Sequence, residues 1–486
     1  MVGRTPRGHP LGKNGAMSLA RPTRAALADA ESRVFWTDRS EAPTARAPLT
    51  GRESADLLVV GAGYTGLWAA IQAKEENPAR DVVLAEADVI GAGASGRNAG
   101  VVVPTLTHGL THGARLWPDD LDLLVDLGDR NFASLVVDLR RHGIEADFRL
   151  PGRLTVAIGA GQAARMAEAH DAAAAHGKRE LWLGAAAVQE RVHVPHAMAG
   201  VFDREVGLLD PARLVWGLAA AAERLGVRVH EGSPVTSVRT EPGGVHGSCA
   251  GVSARLRSGR VRAGKVLVAT GSNPVLRRQS AWMATVFGHT LVSEQLSLDQ
   301  LEHLAWGDSI ALQDAAARYR HYRLTSDNRL LVGGHDTNYE RGEVNPSHRS
   351  QASFEDLARH TLAVFPCLGA LRYTHRWAGP VATTTRLTPV FGRALSGRAV
   401  YVGGYMGLGI ASARFGARVA LDLLDGRRTR ATTLAMVRRK PVAWPPDPAR
   451  SAAMSAMRRA QDATETGGGR SLLVSALERV GVRLDA

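Results

Sequence analysis

Two short segments carry most of the chemistry written into this sequence. Gly61-Ala62-Gly63-Tyr64-Thr65-Gly66 has the spacing GxGxxG, and Glu86 follows Gly66 by 20 residues. In that pattern the first glycine permits a tight turn and the second lets a pyrophosphate approach the backbone. The third allows close packing of helix on strand, and a carboxylate at about this distance accepts hydrogen bonds from ribose hydroxyls. A glycine turn that merely packs is the competing account. Soon after comes Gly91-Ala92-Gly93-Ala94-Ser95-Gly96-Arg97-Asn98-Ala99-Gly100. Glycine loses more conformational freedom on folding than any other residue, so a run this dense is costly. It makes sense where backbone amides lie against a second phosphate and a flat ring. Ser95 can then bond phosphate, with Arg97 and Asn98 as further donors and Ala99 and Gly100 closing the run. The alternative is a flexible linker.

These groups need a βαβ frame, and the neighbouring residues supply one. Leu57-Leu58-Val59-Val60 reads as a short buried strand, Leu67 to Glu76 as a helix, and Asp81 to Glu86 as a second strand. Asp210 and Pro211 form an N-cap and first-turn pair for a helix reaching about Arg224. Strands at 227–230 and 265–269 follow, the latter ending at Thr270-Gly271. Around Tyr319 to Gly334, two strand-like runs flank a Ser326-Asp327-Asn328 turn, as in an antiparallel hairpin. The expected fold is therefore α/β: a Rossmann-like nucleotide domain interleaved with a smaller α+β domain containing an antiparallel sheet. Residues 54–150, 206–288 and 381–430 are assigned to the first domain, and 151–205 and 289–380 to the second. Residues 1–53 are expected to form a poorly ordered arm until Phe35-Trp36. Residues 431–486 are expected to form a basic tail, with a helix from Ser471.

Composition narrows the function classes. The chain has 486 residues, 45% hydrophobic and 22% charged, which suits a two-domain globular protein. Its most apolar stretch, 57–73, is broken by Gly61, Gly63, Tyr64, Thr65 and Gly66, so a membrane-spanning helix is not expected. The net charge of +13 sits mostly at the ends: residues 1–53 hold nine basic against five acidic residues, and 427–486 hold twelve against five. The body is nearly balanced, which argues against a nucleic-acid partner. Cys249 and Cys367 have no metal or redox spacing, and the N-terminus lacks a secretory apolar core. A cytoplasmic location is expected.

With these landmarks in order, the sequence resembles the D-amino-acid-oxidase-like superfamily of FAD enzymes. The resemblance rests on 61–66 with Glu86, on Ala94 to Gly100, on Ala269-Thr270-Gly271, and on Gly403-Gly404-Tyr405-Met406-Gly407-Leu408-Gly409-Ile410. In that superfamily the last segment is a glycine turn and helix start beneath the flavin, and Val235 matches the position whose backbone meets the adenine. Trp36-Thr37-Asp38, Arg323-Leu324-Thr325 and the Pro-rich stretch 441–446 are similar to the gamma-glutamylputrescine oxidoreductase-like branch. Some superfamily members attach FAD through a cysteine just before the threonine-rich loop. Here that region reads Arg376-Trp377-Ala378-Gly379-Pro380, so non-covalent FAD is expected. The usual Thr-x-Asp turn also departs, to Thr384-Thr385-Arg386.

The resemblance implies oxidation of a small amine or amino acid at its C–N bond, by hydride transfer to the flavin. Dioxygen or another acceptor would take the electrons. It also implies an arginine near 320–325 as a carboxylate fork, assigned to Arg323, with Tyr322 as wall or lid; a structural ion pair is the competing role for Arg323. His289 and His335 are further candidates. The resemblance puts Leu331 where a lysine assists oxygen in sarcosine-oxidase-like members, which implies slow reaction with dioxygen. A flavoprotein with structural or redox-sensing FAD and no amine turnover is the other reading.

Overall fold

Leu57-Leu58-Val59-Val60 is an unbroken apolar run because both faces of its strand are covered. Leu57 and Val59 pack with Leu67, Trp68 and Leu421 on one side, while Leu58 and Val60 pack with Val83, Val266 and Val268 on the other. That is the pattern of a central parallel strand. A computed structural model describes residues 20–242, 249–271, 273–276, 279–316, 318–339, 350–369 and 371–465. In it the strand extends back to Gly51, further than the expected start at Leu57.

The first sheet runs in the order Val390–Ala394, Ala399–Gly403, Gly259–Val268, Gly51–Val60, Val82–Ala85, Arg228–His230. Its central pairs are parallel. Val235–Pro242 and Cys249–Leu256 add an antiparallel extension to Gly259–Val268. Helices Tyr64–Glu76, Pro211–Arg224 and Gly409–Leu424 share the apolar core on one of its faces. As the Asp-Pro pair predicts, Asp210 Oδ1 accepts from the amides of Ala212 and Arg213, both at 3.0 Å.

The second sheet runs Tyr373–Thr383, Ala284–Gln295, Arg329–Asn338, Arg320–Leu324, Ala311–Asp314, Arg153–Ala157, Ala199–Asp203, Leu181–Gly184. Only Ala311–Asp314 with Arg153–Ala157 is parallel. The hairpin expected at 319–334 forms, with His321 opposite Gly333 and Arg323 opposite Leu331. The strand Ala284–Gln295 belongs to this sheet throughout, so the division drawn at 288/289 falls inside it.

The two chain ends depart from expectation. Within the arm, Ala20–Ala26 is a helix, Glu31 bridges to His375, and Trp36 is buried. Arg39 donates to Asp210 at 2.5 Å, and Arg46 pairs with Glu223 and Glu231. The arm is thus fixed by tertiary ion pairs that no local pattern encodes. The described part of the C-terminal segment also packs. Trp444 is buried with Ala284 and Val286, and Ala449–Glu465 is a helix. The helix expected from Ser471 lies outside the described residues. None of the described helices is long and apolar enough to cross a membrane.

Candidate active site

A cleft of about 430 Å³ runs between the two sheets, beyond the carboxyl ends of the parallel strands. This is where open α/β sheets bind ligands. Apart from Gly66, all the residues expected to meet the cofactor line it: Gly61 to Thr65, Glu86, Ser95, Arg97 to Gly100, Val235, Thr270-Gly271 and Gly404 to Ile410. Gly66 does the packing job instead, since a Cβ there would sit 1.8 Å from the carbonyl oxygen of Gly61. Gly61 has φ +96°, and a Cβ there would stand 2.7 Å from Ala269 O.

Two helix N-termini open on the cleft. The N-cap residues of Tyr64–Glu76 and Gly409–Leu424, Gly63 and Leu408, supply no capping side chain, and the first residues of both helices line it. Such ends offer unpaired amides and a positive dipole pole to anions. Tyr405, in the glycine turn before the second helix, accepts a hydrogen bond from Thr65 Oγ1 at 3.0 Å, tying the two ends together. Glu86 Oε2 accepts from the amide of Ala62 at 2.6 Å, and Oε1 from Asp88 at 3.2 Å. Burial pushes its carboxyl above the usual range, while those amides favour the charged form.

The polar residues of the 91–100 run largely organise the loop itself. Ser95 Oγ accepts from Tyr64 N at 3.0 Å. Asn98 Nδ2 donates to Ala94 O and Ser95 O, and its Oδ1 accepts from Gly100 N. Arg97 donates to Ala92 O at 2.7 Å and Ala378 O at 3.1 Å, bracing the loop on the second sheet. Trp36 and Trp377 donate to the carbonyls of Asn98 and Arg97, each at 2.9 Å. The arm therefore helps hold this loop shut.

Arg323 and Tyr322 are not where the sequence reading put them. Arg323 is 1% exposed and does not line the cleft. Its Nη1 donates to Leu209 O at 2.7 Å and Ala99 O at 3.1 Å, with its guanidinium 5.3 Å from the Trp36 ring. Burial pushes its pKa down to about 10. It clamps backbone carbonyls outside the cleft, where the expectation was either a carboxylate fork or a structural ion pair. Tyr322 points from the opposite face into the core, 5.4 Å from the Phe365 ring. Alternation along a strand makes this unavoidable, because adjacent side chains cannot both face the cleft. His289 reaches the cleft's edge, but its ring packs against Phe354 at 5.1 Å. The side chain of His335 lies outside the described residues. Leu331 is buried with Trp36, Val292 and Trp377 and does not line the cleft, which removes the basis for expecting slow reaction with dioxygen. Arg386, in the departing turn, is buried and donates to Pro389 O, Met436 O and Arg439 O. It pins the C-terminal segment.

The sequence reading missed Arg153, Gln313, Tyr319 and His321, all of which line the cleft from the second sheet. His321 lies over Gly333, where a Cβ would meet its Nε2 at 2.2 Å. Burial pushes the Tyr319 phenol up to about 12, against the pull of the Arg153 charge. One signal was available: His321 precedes Arg323 by two, so it shares that face, and the doublet Gly333-Gly334 marks a close approach within a strand.

Comparison with known proteins defines the class. A family model described as FAD dependent oxidoreductase matches residues 56–423, and the chain belongs to that family. Among its relatives, the gamma-glutamylputrescine oxidoreductase of Escherichia coli (strain K12) is 31% identical over 382 residues, 76% of this chain and 84% of the relative. A probable oxidoreductase of Haemophilus influenzae is 26% identical over 78% of this chain and 85% of its own length. The fold matches glycine oxidase from Geobacillus kaustophilus with a TM-score of 0.65 at 19% identity, covering 80% of this chain and 99% of that one.

Proposed function

We propose that this enzyme oxidises the C–N bond of a small amine or amino acid, with FAD held non-covalently and dioxygen or another acceptor taking the electrons. The observation that carries this reading is one continuous cleft, joining a glycine-rich cradle to a chamber walled by the second sheet. The relative named for gamma-glutamylputrescine supports an amine as substrate.

The residues present fit the cofactor. A Cβ on Gly63 would enter the cradle 3.0 Å from Ser95 Oγ, and two helix N-termini whose N-cap residues supply no capping side chain open there. The amides near Gly63 and the start of Gly409–Leu424 would hold anionic groups, and the carboxylate of Glu86 would hold a ribose. When bound, FAD supplies the hydride acceptor for the substrate's α-carbon. The chain itself orients the amine and keeps it unprotonated. His321, which lines the chamber, is assigned the task of taking a proton from the substrate ammonium, leaving the lone pair that drives loss of hydride. Gly379 to Ala382 and Met406 wall the chamber and limit water there. The imine leaves to hydrolyse to a carbonyl compound and ammonia or a smaller amine.

Anaerobic mixing of the yellow protein with a panel of amines tests the reading. Loss of flavin absorbance supports turnover. A bound flavin that dithionite reduces and no amine bleaches would favour the structural or redox-sensing role.

Two further outcomes are expected. Acid or heat precipitation should release FAD into the supernatant, because no cysteine is among the described residues of the cleft. Flavin retained on peptide in the washed pellet would contradict that. His321→Asn should slow flavin reduction near neutral pH by about a hundredfold, the scale of general base catalysis. The loss should shrink as pH rises and the free amine forms by itself. An equal loss at every pH would assign His321 a structural part only.

A further inference from the structure

We infer that Arg153 anchors a carboxylate carried by the substrate at the end remote from the bond that is oxidised. The inference rests on the amine reading above and deepens it. The cleft crosses the second sheet from Gly379 to Arg153. The strand Arg153–Ala157 stands five places from Tyr373–Thr383, and strands lie about 4.8 Å apart. Arg153 therefore serves the far end of the chamber, while Arg97 and Gly379 mark the near end.

The cations around the cleft differ in what they have left to give. Arg97 is braced on Ala92 O and Ala378 O, and Arg323 is clamped on Ala99 O and Leu209 O outside the cleft. Arg153 is held loosely. Its Nη1 donates to Gln313 Oε1 at 3.3 Å, and Nη2 stands 4.0 Å from Asp203, the limit of an ion pair. Its Nε is buried without a hydrogen-bond partner. The Arg153 side chain nonetheless keeps 26% of its surface exposed and lines the cleft, and a guanidinium edge matches a carboxylate in a two-bond fork. Asp203 and Glu180 partly balance the charge, and neither lines the cleft. Alternation supports the orientation. Leu154 and Val156 face the core, so Arg153 faces the cleft with Gln313 and His321.

The test uses the flavin-loaded enzyme and two probes of equal length, the mono-glutaryl amide of putrescine and its pentanoyl counterpart, which lacks the carboxylate. Half-saturation for anaerobic bleaching should favour the glutaryl probe by about ten- to a hundredfold, the scale of hydrogen bonds to a charged group. In Arg153→Met the two probes should become equal, and Arg153→Lys should keep part of the preference. Calorimetric titration with glutarate gives a readout independent of turnover: wild type should bind it and Arg153→Met should not. If that difference appears but neither amide bleaches the flavin, the anchor stands and the amine reading falls. Equal half-saturation in wild type, or a preference that survives Arg153→Met, overturns the anchor and leaves amine oxidation intact.

Discussion

Gly66→Ala should yield a chain that melts well below wild type and purifies without flavin. The added Cβ would stand 1.8 Å from Gly61 O and 3.2 Å from Val59 Cγ1. Both obstacles are tightly placed, one being backbone and the other fully buried core. Helix Tyr64–Glu76 would have to lift from strand Gly51–Val60, at a cost of about 3 kcal/mol or more. Gly63→Ala should separate folding from binding. Gly63 has φ −74°, which any residue adopts, and its Cβ would meet only the Ser95 hydroxyl, at 3.0 Å. The fold should survive, but the methyl group would occupy the cradle and FAD should be lost. Melting temperature and the ratio of flavin absorbance to protein read both effects. A fully yellow Gly66→Ala protein with wild-type melting would sink the packing account. A fully flavinylated Gly63→Ala would sink the cradle.

Arg323→Leu should cost about 2–4 kcal/mol of stability, the loss expected when buried carbonyls lose a charged donor. The carbonyls of Ala99 and Leu209 would be left without it, and the Trp36 ring would lose the cation stacked on it. Gly100 belongs to the same device. It has φ +73°, and a Cβ there would lie 2.1 Å from Leu209 O and 2.5 Å from Arg323 Nη1. Because Ala99 and Gly100 line the cleft, the substitution should also weaken flavin retention. Half-saturation by substrate in the protein that keeps its flavin should not move. Urea titration and anaerobic reduction together decide. A large rise in half-saturation with unchanged stability would return Arg323 to the role of carboxylate fork.

What the sequence determined by itself was the glycine-rich half of the cleft. Gly61, Gly63, Gly66 and Glu86 lie within one βαβ unit, and Gly404 to Ile410 within one turn and helix start, so spacing alone encodes their geometry. Each needs only local backbone conformation, which residue type reports directly. The substrate half depends on register between distant strands. Arg153 reaches the cleft because its strand lies beside Ala311–Asp314, and His321 because Gly333 faces it across the hairpin. Arg323, on the same face as His321, ends on carbonyls from two other segments, which no inspection of its own strand discloses. The chain ends were misjudged for a similar reason. Arg- and Pro-rich stretches look solvated until Trp36, Arg39, Arg46 and Trp444 meet partners far along the chain. Local chemistry is written in spacing, whereas the outward or inward fate of a single arginine is decided by whichever carbonyls or carboxylates the folded sheet brings within reach.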